Sequence, residues 1–579
     1  MAKFDSVGGD IISHATDSRA ALSAGRHDRR IVLVLGLLLV LISGVFVVAL
    51  FKNLGSPLMW NDEAEAAMFG QHILKYGYPK VHGDRYTLFA SPLELENAVH
   101  DQHDSFVAST WGHFYLGALG VWWGGGLVDD YQRTWRLRFP FVIIGLIGLG
   151  IVLLLTVSLL GGTIIARLSA AILFIFIEAT SVLLCLHLRQ ARYYAIAVFV
   201  GALFLLFYLR WMNQEKARCW SYIIGGSLAL ILSFQAFYPF FFILCATTTL
   251  HQAWHAILRW RSGAAWRNRF LGGVSPIIIA VVLQLPLFAY FRVFTSIGAF
   301  GIDDFGVAQY FDNLRRIVAI LAQYDWLLPA VALQVIVVVC RPRLRSLALP
   351  AVTRMSAATD FVLILWGVHL FVIARIPFLF ERYFVHLQPL LAMLIVLNLG
   401  ILLSLRLRRH VLLCCLGLVL LASGVNFGRR LLLLQDYVQE LRHEYHGPID
   451  FVVAYLRQHY THPDRLIVAT NYEEQVYMYY LECRTIVGFA GQNIDADLLE
   501  TPDIVIIRQH WPRYKEALAG FLKRANYETI RLPVRDYPVN NIPTLMYQHR
   551  HLFESPIVRP GPDSLTIFRL LREPRTGND

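Results

Sequence analysis

The chain has 579 residues, of which 56% are hydrophobic and 16% are charged, and its formal net charge is +11 at pH 7. This composition is typical of a polytopic α-helical membrane protein and excludes an ordinary soluble domain. The excess charge does not indicate nucleic-acid binding, because its arginines cluster between apolar runs, as the positive-inside rule predicts for cytoplasmic loops. The clusters are Arg259, Arg261, Arg267 and Arg269; Arg341, Arg343, Arg345 and Arg354; and Arg406, Arg408 and Arg409.

The first apolar run, residues 31–51, is long enough to cross a bilayer as one helix. It is too long for the core of a signal peptide and has no small-residue cleavage site, so we expect a retained anchor. Arg26, Arg29 and Arg30 precede the run, which predicts that residues 1–30 form a cytoplasmic tail.

Two adjacent carboxylates, Asp62 and Glu63, follow this first crossing and open an amphipathic helix over roughly residues 62–76. Asp62, Glu65 and Phe69 share one side of that helix. A short carboxylate beside the membrane surface is a candidate general base, and we assign this role to Asp62. Glu63 points about 100° away and is expected to be a secondary catalytic residue that orients the acceptor or a cation. The simpler alternative is an acidic helix start that suits the helix dipole.

The polar region from 52 to 138 is expected to be a long first outer loop. Within it, the apolar stretch from Gly112 to Gly126 is short, rich in glycine and followed by Asp129 and Asp130. Counting it as a crossing would place the arginine clusters opposite the basic N-terminal tail. We therefore interpret it as an interfacial or re-entrant segment.

The membrane domain, residues 31–427, is expected to contain about 11–13 transmembrane helices, eleven of which can be placed. They cover about 31–51, 139–159, 168–186, 193–211, 220–236, 237–250, 272–294, 321–340, 358–375, 384–404 and 410–427. The pair around Phe237 could be one long helix. A hairpin broken near Pro239 keeps the next arginine cluster inside, and we prefer it.

Residues 428–579 alternate strand and helix patterns and predict a soluble α/β domain outside the membrane. Expected strands are Leu466–Ala469, Thr485–Gly488, Ile504–Ile507, Thr529–Leu532 and Leu565–Leu570; expected helices are Tyr472–Leu481 and Pro512–Ala525. No nucleotide-binding or Gly-x-Ser-x-Gly motif occurs there. Cys483 stands alone in this part, and no Cys/His spacing in the chain predicts a metal site.

With this topology, polar segments converge on the outer face: Asp62-Glu63, the stretch around Arg138, residues 187–194 and residues 381–383. Each arginine alone is more often an interfacial anchor than a ligand. Arg189, Arg192 and Arg382 together on the outer face oppose the positive-inside rule, which indicates an anionic ligand such as a phosphate.

These segments resemble the GT-C class of integral membrane glycosyltransferases, near the lipid A aminoarabinose transferases and the protein O-mannosyltransferases. The resemblance covers roughly residues 30–430. The matching segments are Asp62-Glu63-Ala64-Glu65-Ala66, His72 to Gly77, His113-Phe114-Tyr115-Leu116, Arg138-Phe139-Pro140, Arg189 to Tyr194, and Arg382-Tyr383 with Pro389. The second outer loop lacks the acidic residue that many relatives carry, no lysine precedes His113, and residues 84–110 look like an insertion.

The resemblance implies transfer of a sugar from a polyprenyl-phosphate donor to a lipid, glycan or protein acceptor of the cell envelope. The site would lie on the periplasmic side of the plasma (inner) membrane, and Asp62 matches the family's first-loop aspartate. We expect Arg189, Arg192, Arg382 and Arg138 to bind the donor phosphate, and His113, Tyr193 and Tyr383 to bind substrate. No cofactor is assigned and a divalent cation is left open, with no metal ligand named.

Two other classes of function stay open. A transporter or flippase of a lipid-linked sugar would use the arginines along a pathway, although transporters place their polar groups near the bilayer midplane. A non-catalytic assembly partner would use the outer domain to bind. The gathering of polar groups at one surface favours the enzyme.

Overall fold

The computed structural model describes residues 8–83, 101–214, 219–261, 266–294, 306–340, 349–376, 379–405, 407–444, 446–488, 494–509, 511–536 and 557–571. Part of the expected first outer loop (84–100), part of the outer loop before Arg382 (377–378), and the arginines Arg341, Arg343, Arg345 and Arg406 lie outside these ranges.

The described part of the membrane domain is mostly helical. Its helices are α1 (Gly8–Phe51), α2 (Asn61–Tyr76), α3 (Gly112–Trp123), α4 (Asp130–Leu160), α5 (Ile164–Ala179), α6 (Val182–Leu188), α7 (Tyr193–Met212), α8 (Trp220–Arg261), α9 (Arg267–Tyr290), α10 (Val307–Tyr324), α11 (Leu327–Val339), α12 (Pro350–Ile373), a 3₁₀ helix (Glu381–Leu387), α13 (Gln388–Ser404) and α14 (Arg409–Arg442).

Within the described ranges, eight segments are long and apolar enough to cross a membrane, and two bent helix pairs qualify when each is taken together. The bent pairs are α5–α6, with a bend of 73°, and α10–α11, with a bend of 102°. The expectation of a polytopic helical membrane protein is confirmed.

Helix α8 is a hairpin and not a straight rod. Its backbone leaves the helical region at Phe237, with φ −160° and ψ 92°. The ring of Tyr208 lies 5.9 Å from that of Tyr222 and 5.7 Å from that of His251. A straight helix would hold residues 222 and 251 about 43 Å apart, so the chain must turn back between them. With this hairpin counted as two passes and each bent pair as one, the described part has eleven, which agrees with the sequence-based count.

The turn of this hairpin has a local chemical cause. Pro239 has no backbone N–H, so the helix before it cannot continue through this residue without losing a hydrogen bond. Gly112 packs directly against the carbonyl oxygen of Gln235 near the turn, and a Cβ there would lie 2.5 Å from that oxygen. The hairpin tip therefore lies against the start of α3.

Helix α3 has 12 residues, which span about 18 Å and are too few to cross the hydrocarbon. It packs along α2, where a Cβ at Gly117 would lie 2.7 Å from the carbonyl oxygen of Ala66. This geometry agrees with an interfacial segment. α2, α3, the hairpin tip and the start of α4 all gather at one end of the bundle.

The arginine clusters that the structure describes lie at the opposite end. Arg269 donates hydrogen bonds to the carbonyls of Trp211 and Met212, at the far end of α7 from Tyr193. This arginine therefore lies at the end of the bundle opposite the one that carries Asp62.

The helix α14 continues to Arg442, past the expected domain boundary at residue 427. The hydropathy falls at Gly428, Arg429 and Arg430, but nothing there breaks a helix, so the helix extends beyond the last predicted crossing. The α/β domain then contains α15 (Pro448–His459), β1 (Ile467–Thr470), α16 (Glu474–Leu481), β2 (Arg484–Ile486), α17 (Ile494–Asp497), β3 (Ile504–Ile506), α18 (Lys515–Arg524), β4 (Tyr527–Arg535) and β5 (Ser564–Leu570).

Five strands form one sheet in the order β2-β1-β3-β5-β4. Strands β1, β2 and β3 are parallel, and β5 pairs antiparallel with both β3 and β4. The five expected strands all occur within a few residues of their predicted bounds, while α15 was not predicted.

The α/β domain is docked on the outer end of the bundle by polar contacts with the first outer loop. The backbone N–H of Met59 donates to the hydroxyl of Tyr480, 3.1 Å away, and that hydroxyl lies 2.5 Å from the Thr134 hydroxyl. Arg457 forms a bidentate pair with Asp130, with both distances 2.8 Å. These contacts place α16 against α2.

Candidate active site

The residues at the two ends of α2 explain where this helix begins and ends. Trp60 is extended at the N-cap, the following residues are mostly alanine and acidic residues, and Gly77 ends the helix in a left-handed conformation with φ 87°. Asp62 and Glu63 therefore occupy the first turn, where negative charge suits the helix dipole. Their environments differ: the Asp62 side chain is 28% exposed and the Glu63 side chain is 1% exposed.

Glu63 is bound on both carboxylate oxygens by Arg138. Nε donates to Oε1 at 2.8 Å and Nη2 donates to Oε2 at 2.7 Å. The backbone N–H of Ala191 also donates to Oε1, and Arg138 Nη1 donates to the carbonyls of Leu54 and Pro57. Glu63 and Arg138, expected to orient the acceptor and to bind donor phosphate, therefore pair with each other in this structure. This pair joins α2 to α4.

Asp62 lies between two guanidinium groups that come from distant parts of the chain. Its Oδ2 is 3.4 Å from Nη2 of Arg192 and 3.5 Å from Nη1 of Arg382. Arg192 is the N-cap residue of α7, and Arg382 lies in the 3₁₀ helix. The structure thus brings together three of the residues that the sequence singled out, at distances longer than those of a tight ion pair.

Glu65 also belongs to this cluster, although no role was predicted for it. Its Oε2 is 2.7 Å from Nη1 of Arg192, which also donates to the backbone carbonyl of Asp62. The sequence feature that could have indicated a role for Glu65 is its spacing from Asp62, which places both residues on one side of α2.

Arg189 lies apart from the cluster. Its Nη2 donates to the carbonyls of Lys52 and Asn53 at 2.7 and 3.1 Å. These carbonyls follow the end of α1, so Arg189 closes that helix end, where a cation suits the dipole. Of the three arginines expected to bind the donor phosphate, the structure brings Arg192 and Arg382 to Asp62 and places Arg189 at the end of α1.

Aromatic and imidazole rings form the wall of the site beside Arg192. Tyr193 stacks on Phe237, at the tip of the α8 hairpin, with ring centroids 4.4 Å apart. His113 lies 6.3 Å from the Tyr193 ring and is buried. Burial, with a smaller contribution from Arg192, holds the pKa of His113 well below its usual value, so its imidazole is neutral.

On the other side, the Arg382 guanidinium lies 5.2 Å from the ring of Trp60 and 4.0 Å from that of Phe380. Such stacking fixes a guanidinium without using its hydrogen-bond donors. The Tyr383 carbonyl accepts a hydrogen bond from His369, which anchors the segment next to Arg382.

Several buried polar atoms around the cluster have no hydrogen-bond partner among the described residues. They are Trp60 Nε1, Asn61 Oδ1, both ring nitrogens of His113, Gln190 Oε1, Arg192 Nε and the Tyr194 hydroxyl. Buried polar groups are nearly always paired in folded proteins. Such a concentration indicates a site built for a polar ligand.

The site does not fit a divalent cation. No three His, Cys, Asp or Glu side chains group together as metal ligands in the part of the chain that the structure describes. The carboxylates of Asp62 and Glu65 instead face arginines, which repel a metal ion.

Tyr472, from the C-terminal domain, interacts electrostatically with Asp62, and no role was predicted for it. It is 7% exposed. Burial and the neighbouring Asp62 carboxylate raise the pKa of its hydroxyl well above the usual value. No local motif could have indicated this, since about 410 residues separate it from Asp62.

The fold and the site together define a multi-pass membrane protein in which one end of the helix bundle holds a cluster of charges next to an α/β domain. No family model and no curated protein sequence matches the chain.

Among solved structures, the chain is similar to ArnT from Cupriavidus metallidurans bound to undecaprenyl phosphate, with 14% identity and a TM-score of 0.47 over 85% of this chain and 95% of that one. It is also similar to the oligosaccharyltransferase of Archaeoglobus fulgidus in complex with Zn and sulfate, with 14% identity and a TM-score of 0.43 over 77% and 62%. A third match is AglB from the same organism with an inhibitory peptide and a dolichol-phosphate, with 13% identity and a TM-score of 0.42 over 84% and 73%. At these values the likeness carries no argument about activity.

Proposed function

We propose that this chain is a membrane glycosyltransferase. It moves a sugar from a polyprenyl-phosphate donor to an acceptor hydroxyl of a lipid, glycan or protein on the periplasmic face of the inner membrane. Asp62 is the general base, and Arg192 and Arg382 bind the donor phosphate. His113, Tyr193 and Tyr383 line the substrate site.

The observation that carries this proposal is the position of Asp62 Oδ2 between the guanidinium groups of Arg192 and Arg382. A base and two phosphate ligands at one point are what transfer from a phosphate leaving group needs. Both contacts are long, so an incoming phosphate can bind the two arginines in place of Asp62. The Asp62 carboxylate is then free to accept a proton.

The reaction that follows is a single displacement. The acceptor oxygen forms a bond to the anomeric carbon, the bond from that carbon to the phosphate oxygen breaks, and the hydroxyl proton passes to Asp62. The lipid phosphate leaves with the bonding pair, and the two arginines stabilise its charge. In-line attack of this kind inverts the anomeric centre.

The side of the membrane supports a lipid-linked donor. Nucleotide sugars are made in the cytoplasm, whereas the cluster lies at the end opposite the arginine-rich loops. A sugar used there must first cross on a carrier, and a polyprenyl chain keeps that carrier in the bilayer.

A transporter of the same lipid-linked sugar is the second candidate, because two broken spans carry buried charges. Glu178 precedes the α5–α6 break, Asp325 occupies the α10–α11 break, and Arg430 donates to the carbonyl of Thr180 at 3.0 Å. All three charged side chains are buried. Broken helices with buried polar groups are typical of transport pathways.

The experiment that separates the two functions uses the purified chain in liposomes with a radiolabelled undecaprenyl-phosphate sugar and an envelope extract as acceptor. The proposal predicts that label moves into the acceptor fraction, with one lipid phosphate released per sugar. The double variant Arg192→Ala and Arg382→Ala should lose this transfer, whereas Arg316→Ala, whose exposed side chain pairs with Asp312, should retain it. Movement of intact donor between leaflets without bond cleavage would contradict the proposal and support the transporter.

A further inference from the structure

The helix α16 of the C-terminal domain packs against α2, and Tyr472 lies just before its first turn. The other end of α16 is fixed by Tyr480, which hydrogen-bonds to Met59 and Thr134, and by Tyr479, whose ring lies 4.5 Å from the Arg133 guanidinium. An eight-residue helix is only about 12 Å long, so this anchoring fixes the position of Tyr472 just before it.

Tyr472 is paired with a second aromatic ring of the same domain. Its ring centroid lies 5.1 Å from that of Trp511, with 34° between the planes. Asn471 holds the two together, because its amide nitrogen donates to the carbonyls of Arg508 and Trp511 while its oxygen accepts from the Arg508 backbone N–H. The pair is therefore a preformed feature of the fold.

A buried ion-pair network lies next to this aromatic pair in the C-terminal domain. The Arg508 guanidinium, fully buried, pairs with Glu473 and with Asp536, the latter at 2.7 Å. Because Glu473 directly follows Tyr472, the network fixes the backbone that carries the tyrosine. Networks of this kind rigidify a site when each member is paired.

One hydrogen-bond donor of the aromatic pair has no acceptor among the described residues. The indole Nε1 of Trp511 is buried and has no partner among the described residues. An aromatic face beside an unused N–H suits a sugar ring, whose C–H face packs on the aromatic ring while a hydroxyl accepts the hydrogen bond.

The position of the pair relative to Asp62 indicates which substrate it would bind. The donor phosphate lies on the arginine side in the proposed reaction, and its lipid tail must remain in the bilayer. In-line attack places the acceptor on the side of the anomeric carbon opposite the phosphate. Helix α16 packs against α2 at the end of the bundle that carries Asp62, so we place the aromatic pair on the acceptor's side of Asp62.

We infer that Tyr472 and Trp511 form a subsite for a carbohydrate acceptor. They bind a sugar ring next to the hydroxyl that Asp62 deprotonates. This inference rests on the proposed glycosyltransferase function, and it assigns the acceptor to glycans or glycolipids and not to polypeptides.

The test uses the full chain in detergent, undecaprenyl-phosphate sugar as donor, and an oligosaccharide released from envelope glycolipids as acceptor probe. Tyr472→Ala and Trp511→Ala should raise the KM for the oligosaccharide about tenfold, equal to about 1.4 kcal/mol. In Trp511→Ala, slow hydrolysis of the donor by water, which also needs Asp62, should stay within about twofold of wild type. Tyr472→Phe, which keeps the ring, should behave as wild type.

Arg569→Ala is the matched control on the same domain, because Arg569 pairs with Glu528 on an exposed sheet surface. An unchanged KM in both alanine variants, or an equal loss of hydrolysis and transfer, would overturn the subsite. Transfer to a peptide probe with none to the oligosaccharide would also overturn it.

Calorimetric binding of the oligosaccharide separates this inference from the proposed function, because it needs no turnover. Binding to wild type that weakens about tenfold in Trp511→Ala supports the subsite even if no sugar is transferred, and failure of wild type to bind contradicts it.

Discussion

Asp62 and Glu63 are neighbours on one helix turn, yet their surroundings are opposite. Glu63 is buried, and both of its oxygens are bound at 2.7–2.9 Å by Arg138 and a backbone N–H. Asp62 is partly exposed and is approached by two arginines only at 3.4 and 3.5 Å. A saturated, buried pair holds a fold together, whereas a loosely held carboxylate among unpartnered polar groups can exchange its partners for a substrate.

The largest effect should come from breaking the saturated pair. Glu63→Ala leaves Arg138 buried without its carboxylate, and the loss of one partner of such a pair costs about 3–5 kcal/mol. We expect a large fall in the unfolding temperature of the purified protein and poor expression. Glu65→Ala, which removes a more exposed partner, is the control and should unfold near the wild-type temperature. Equal unfolding temperatures of Glu63→Ala and Glu65→Ala would contradict the claim that the buried Glu63–Arg138 pair stabilises the fold.

The arginines allow a second test of the contrast, by binding of undecaprenyl phosphate. Removing Arg382 deletes a charge-assisted contact worth about 1.5–3 kcal/mol, so Arg382→Ala should bind about 10–100-fold more weakly. Arg382→Lys should recover part of this, since a point charge replaces a planar fork. Arg189→Ala should bind almost normally, because its guanidinium is bonded to backbone carbonyls. A greater loss of undecaprenyl-phosphate binding in Arg189→Ala than in Arg382→Ala would support a phosphate site made by all three arginines.

Glu65 should have a smaller effect on the reaction. It competes for Arg192 at 2.7 Å, so Glu65→Gln changes how firmly Arg192 is held without removing the base. We expect turnover to change by no more than about tenfold, or about 1.4 kcal/mol, in the same transfer assay. A loss as large as that of Asp62→Asn would make Glu65 the base in this account.

The smallest effect concerns pH and the docking of the C-terminal domain. The Asp450 carboxylate, 3.8 Å from Nδ1, raises the pKa of His446 above its usual value, although burial opposes this. The stabilising contribution of this histidine is therefore complete below about pH 6.5 and is lost as the pH rises through its raised value. The unfolding temperature of wild type should fall slightly more than that of His446→Gln between these limits. An equal change of unfolding temperature with pH in wild type and in His446→Gln would show that His446 contributes nothing to stability.

The sequence predicted the features that depend on composition and local pattern. The crossings, the break near Phe237, the short interfacial helix and the strands follow from hydropathy, Pro239 and residue alternation. The basic-loop pattern also placed Asp62, Arg192 and Arg382 on one side of the membrane, and the structure brings their side chains together.

The pairing of charges could not be predicted in the same way. Glu63 and Arg138 are 75 positions apart, and nothing local distinguishes a carboxylate that will be buried from its neighbour that will not. The same applies to Arg189, whose partners are backbone carbonyls at a helix end, and to Tyr472, which reaches the site only because α16 docks on α2. Helix α14 runs beyond the predicted crossing because polarity changes before the helix stops.

The most direct test of the central claim is the turnover of Asp62→Asn in purified protein with undecaprenyl-phosphate sugar. Asparagine keeps the shape of the side chain but cannot accept the acceptor's proton, so turnover should fall about 10²–10⁴-fold, the usual contribution of a positioned base. Binding of undecaprenyl phosphate and the unfolding temperature should stay near wild type. Full transfer activity in a folded Asp62→Asn protein would contradict the assignment of Asp62 as the base.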